Sequence, residues 1–129
     1  MPAASTPKAS AIVVVRDPVL AASLELALLA GGLNVFLYDS AQGLDRLPLD
    51  IAMTLIVDEQ ILKPDLTAFV AGVRARPWEG LIILMTGEGD ALRTAFERSH
   101  RIAILEMPFV GADLIAAIRA VWPADDPES

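Results

Sequence analysis

Residues 51–60 read IAMTLIVDEQ: a continuous apolar run, Ile51–Val57, that stops at the acids Asp58 and Glu59. An apolar run without alternation marks a strand buried on both faces, and such strands belong to parallel sheets covered by helices. Similar runs occur on either side. Ala11–Val15 (AIVVV) and Asn34–Tyr38 (NVFLY) precede it, and Leu81–Met85 (LIILM) and Ile102–Leu105 (IAIL) follow. The segments between them carry helix signals. Pro18–Ala30 follows Asp17, an N-cap residue, and ends at Gly31-Gly32. Ser40–Leu47 is stopped by Pro48, and Asp65–Ala75 stops before Pro77. Asp90–Ser99 starts with a capping Asp90, and Gly111–Trp122 ends against Pro123. Strand and helix alternate five times, which predicts an α/β fold: a (βα)5 doubly wound parallel sheet in a single domain.

The composition bounds the function. The chain has 129 residues, 54% of them hydrophobic, enough for one well-buried core. Acids outnumber Lys and Arg 17 to 10, for a net charge of −7. That balance argues against a nucleic-acid partner or an anionic membrane surface, both of which need clustered cations. There is no cysteine, which excludes disulfides, thiol catalysis and thiolate metal sites. The lone histidine, His100, reads as a solvated turn residue. No signal peptide or membrane span is evident, and a cytoplasmic location is expected. Residues 1–10 read as a flexible lead, 11–122 as the domain, and 123–129 (PADDPES) as an acidic tail.

In open parallel sheets the chemistry gathers at the carboxyl ends of the strands. Those ends read Val15-Arg16-Asp17, Asp58-Glu59-Gln60, Thr86-Gly87 and Glu106-Met107-Pro108. The set, LIVD closing at Asp58, Thr86 in LIILMTGEGD and Pro108-Phe109 in LEMPF, resembles the receiver domain of bacterial response regulators across residues 11–122. The resemblance implies strand order 2-1-3-4-5, Asp58 as the phospho-acceptor position, and Thr86 as a residue that contacts the phosphoryl group. It implies histidine kinases, phosphotransfer proteins or another regulator as partners, and no enzyme activity of its own.

The departures are specific. Counted without gaps from the Gly32 turn, the family's acidic pair falls on Val15 and Arg16, with Asp17 one residue late. The family lysine is replaced by Met107, its Met-Pro pair and later glycine by Ile61, Leu62 and Leu66, and its aromatic switch position by Ile104. In the family three carboxylates hold Mg²⁺, which neutralises the incoming phosphoryl charge. With Val15, Arg16 and Met107 the Mg²⁺ ligands are depleted, so no cofactor is expected. Arg16 is expected to pair with Asp58 and leave a nearly neutral pocket. The leading expectation is therefore a receiver-like module with degenerate phosphoryl chemistry that works by protein contact. The alternatives are a functional acceptor at Asp58, which would need Mg²⁺ through Asp17, Glu59 or Glu88, and a small flavodoxin-like ligand-binding protein.

Two surfaces complete the reading. From Val19 to Ala30 only Ser23 and Glu25 are polar, so the first helix lacks an ordinary polar stripe. Arg93, Glu97, Arg98, Arg101, Asp113 and Arg119 form a mixed-charge set that suits a homodimer. The turn Gly87-Glu88-Gly89 lacks the third glycine of a dinucleotide fingerprint, since Leu92 stands there.

Overall fold

The computed structural model describes residues 10–40, 47–62, 66–87, 89–96 and 101–121. Five parallel strands form one sheet in the order β2-β1-β3-β4-β5. They are β1 (Ser10–Val14), β2 (Asn34–Tyr38), β3 (Thr54–Asp58), β4 (Leu81–Thr86) and β5 (Ile102–Glu106). The helices are α1 (Pro18–Ala30), α2 (Glu59–Leu62), α3 (Leu66–Arg74), α4 (Gly89–Phe96) and α5 (Gly111–Val121).

The pleat sends successive side chains to opposite faces, and the core divides accordingly. Ile12, Val14, Leu55, Val57, Ile82 and Leu84 pack against Ile61, Leu62, Leu66, Val70, Val73 and Phe96 from α2, α3 and α4. Ala11, Val13, Ile56, Ile83 and Met85 pack against Leu24 and Leu28 of α1 and Leu114 and Ile118 of α5. Helices therefore cover both faces, as the sequence predicts. Burying one such leucine contributes about 1.5–3 kcal/mol.

Burial on both faces holds for β1, β3 and β4 but not for the two outer strands. Phe36 and Leu37 of β2 are exposed, and β5 is only half-buried along most of its length. The order 2-1-3-4-5 makes these two strands the edges. The run expected as a strand over Ile51–Val57 begins only at Thr54, because Leu49–Ile51 forms a 3₁₀ turn. At the other end of the chain's ordered core, Ser10 joins β1 rather than the lead. The helix expected over Ser40–Leu47 falls mostly outside the described residues, as do His100 and residues 123–129.

The cap of α1 is as predicted: Asp17 accepts a hydrogen bond from Val19 N at 2.9 Å, and Pro18 opens the helix. The helix closes where Leu33 N donates to Leu28 O at 3.0 Å, with Gly32 at φ 89, a left-handed conformation that favours glycine. Asp90, expected as the cap of the fourth helix, lies inside the first turn of α4 and contacts Arg93 at 3.4 Å. The outward face of α1 is apolar, with Val19 74% and Leu26 70% exposed.

The amino ends of β4 and β5 are tied by one guanidinium. Arg74, at the end of α3, donates to Gly80 O and Arg101 O, both at 2.9 Å, and lies 5.6 Å from the Trp78 ring centroid. Burial lowers its pKa from the ordinary arginine value, Glu79 opposes the shift, and Arg101 adds to it. Trp78 Nε1 donates in turn to Ala52 O at 2.9 Å.

Candidate functional site

The site lies at the opposite, carboxyl edge of the sheet. Register pairs Asp58 with Met85 and Thr86 with Glu106, so β3, β4 and β5 end side by side. Asp58 is 8% exposed, Glu59 is 5% exposed and Thr86 is fully buried.

Asp58 ends its strand and starts a helix at once. Its Oδ1 accepts from Gln60 N at 2.9 Å, the geometry of an N-cap. The chain therefore turns into α2 with no intervening loop, and Glu59 becomes the first residue of that helix. This turn carries the Glu59 carboxylate inward, where the Thr86 hydroxyl donates to Glu59 Oε1. A buried carboxylate needs such a donor, because desolvating it unpaired costs several kcal/mol or more. Among the described residues no buried side-chain nitrogen or oxygen lacks a partner.

On the far side of Thr86 the backbone is also held. Met107 N donates to Thr86 O at 2.7 Å. Glu106 reaches back over the start of α4: its Oε1 lies 3.6 Å from Arg93 Nη1 and within 2.6 Å of the position a Cβ on Gly89 would take. Met107 packs on the α1–α5 core, and the Met107-Pro108 peptide is cis.

Arg16 is exposed and lines an open groove of about 500 Å³ with Pro18, Glu25, Tyr38 and Asp39, between α1 and the edge strand β2. No ion pair joins Arg16 to Asp58 among the described residues, so the expected neutralisation of Asp58 by Arg16 is not formed. The physical reason lies in β1. Val15 is the last residue held in the core, and the chain then leaves the sheet at Arg16 and Asp17 to begin α1. Asp17 is likewise exposed, with a carboxylate oxygen committed to the α1 cap. Asp58, Glu59 and Thr86 are brought together. Pro108 is exposed and Met107 half-buried beside them.

Glu59 is the residue that sequence reading undervalues, entering only as a stand-in metal ligand. The signal was present in Asp58-Glu59-Gln60, where Asp followed by two helix-compatible residues is itself a helix start. Among the described residues, no three His, Asp or Glu side chains are grouped to hold a metal ion. The mixed-charge face is also dispersed: Arg119 donates to Gly31 O at 2.9 Å, Arg101 to Glu79 O at 2.8 Å, and Asp113 accepts from Val110 N at 3.2 Å. Arg93 lies beside Glu106 of β5, and Glu97 and Arg98 lie outside the described residues. No helix among the described residues is long and apolar enough to cross a membrane.

Strand order, two-faced helix cover and an acid at the end of the central strand together define the fold: the chain has the receiver-domain fold of response regulators. It is similar to the response regulator receiver protein from Sinorhizobium medicae WSM419, at 22% identity over 90% of this chain and 95% of that one, with TM-score 0.74. It is similar to full-length FixJ from B. japonicum at 28% identity and TM-score 0.74, covering 95% of this chain but 62% of that longer one. A response regulator receiver domain protein from Clostridium thermocellum superposes with TM-score 0.73 at 18% identity, over 87% of this chain and 92% of the other. No protein-family model and no curated protein matches the sequence.

Proposed function

We propose that this chain is a receiver-like signalling module of a bacterial two-component phosphorelay that works through protein contacts, with Mg²⁺-dependent phosphorylation impaired. The observation that carries the reading is the commitment of the polar groups at the strand ends. Asp58 caps α2, Asp17 caps α1, and Thr86 donates to Glu59. A phosphoryl group arriving at Asp58 would meet two buried acids, Asp58 and Glu59, with Met107 standing where the resemblance expects a lysine. Each missing charge-stabilising group of this kind lowers a transfer rate by orders of magnitude. The partners proposed are a histidine kinase, a phosphotransfer protein or another regulator, and the apolar outward face of α1 offers a surface for such contact.

A second reading, a functional acceptor phosphorylated on Asp58, draws on the place of that residue at the carboxyl end of the central strand. One experiment separates the two. The protein is incubated with acetyl phosphate and Mg²⁺ and its intact mass recorded, with Asp58→Ala as control. The first reading expects no phosphoryl adduct above the control. An adduct that disappears in Asp58→Ala establishes the second.

A further inference from the structure

We infer that Glu59 is a built-in anionic ligand for Thr86, and that this bond holds the junction of β4 and α4 in one position. The inference rests on the receiver-like reading and adds to it a device that fixes the site.

Three observations meet at this junction. The Thr86 hydroxyl, fully buried at the end of β4, is given to a carboxylate from the neighbouring strand's helix rather than to solvent. That carboxylate is itself positioned by the Asp58 cap, which sets Glu59 at the first position of α2. On the other side Met107 N binds Thr86 O, and Glu106 lies over Gly89 beside Arg93. The end of β4 is thus held from α2 through the Glu59 side chain and from the end of β5 through the Met107 backbone. The start of α4 meets β5 through the half-exposed Arg93–Glu106 pair at 3.6 Å.

A hydrogen bond to a buried charge is hard to break, because opening it strands the charge without a donor. An external anion would have to displace Glu59 from Thr86 before it could use the hydroxyl. The internal carboxylate is also present at the effective concentration of a tethered group, which a free anion in solution does not match. The junction therefore keeps one arrangement.

The test uses the full chain and nuclear magnetic resonance. Three-bond couplings give the Thr86 χ1 distribution, and hydrogen exchange gives the opening rate at the Met107 amide. In the unmodified protein a single Thr86 rotamer is expected. In Glu59→Ala the rotamer averages and Met107 exchange speeds up about tenfold or more. Glu59→Gln, which keeps an acceptor oxygen, retains the single rotamer. An averaged Thr86 in the unmodified protein overturns the inference, and that measurement needs no variant to fold. Unaltered Met107 exchange in a folded Glu59→Ala protein overturns it as well. The two readings fail separately. An Asp58-dependent phosphoryl adduct that leaves the Thr86 coupling unchanged removes the impaired-phosphorylation reading and supports the lock. A mobile Thr86 in a protein that takes no phosphoryl group does the reverse.

Discussion

Thr86, the last residue of β4, donates its hydroxyl to Glu59, the first residue of α2, and both groups are buried. Removing the donor should therefore hurt more than removing the pair. Thr86→Val is expected to lower stability by about 1.5–3 kcal/mol, because Glu59 is left buried with its donor gone. The double variant Thr86→Val/Glu59→Leu should recover a substantial part of that loss. Urea unfolding of the four proteins in the cycle gives the coupling, and additive losses would argue against the bond.

Asp58 acts as a helix cap through its contact with Gln60 N. Asp58→Ala is expected to destabilise the fold by about 1 kcal/mol, whereas Asp58→Asn, which keeps an accepting oxygen, should stay within about 0.5 kcal/mol of the parent. Denaturant midpoints check this. Equal losses in both variants would point to a role for the charge rather than the cap.

Arg16 is exposed in the α1–β2 groove and forms no ion pair with Asp58. Arg16→Ala should change stability by less than about 0.5 kcal/mol. It should also leave the backbone amide shifts of Asp58 and Gln60 unmoved. A shift at those amides would restore the pairing that the sequence alone suggests.

Gly80 faces the Trp78 ring so closely that an added Cβ would fall 2.0 Å from a ring carbon. The ring cannot retreat freely, since Nε1 is bonded to Ala52 O and Arg74 lies against its face. Gly80→Ala is expected to destabilise the protein by about 1–3 kcal/mol and to perturb Trp78 fluorescence. Unchanged fluorescence and melting temperature would contradict this account of the pole opposite the site.

Much of this was legible in the chain. The five apolar runs place the strands to within a few residues, and Asp17-Pro18 fixes the start of α1. Period-2 patterning cannot tell an edge strand from a central one when both are apolar, which is why β2 read as buried. The site was harder for a different reason. Strand ends can be found from patterning, but whether Arg16 turns toward Asp58 depends on where β1 releases the chain. That point is set by the packing of Val15 rather than by any local motif. The inward turn of Glu59 follows from Asp58 acting as a cap, a role that the acceptor reading of Asp58 obscured.

The claim that the strand-end polar groups are already committed is tested most directly by adding beryllofluoride with Mg²⁺ and recording amide shifts along β3, β4 and β5. The account predicts that Asp58, Thr86, Gly87 and Met107 keep their positions at millimolar Mg²⁺. Saturable shifts at those residues, absent in Asp58→Ala, would contradict it.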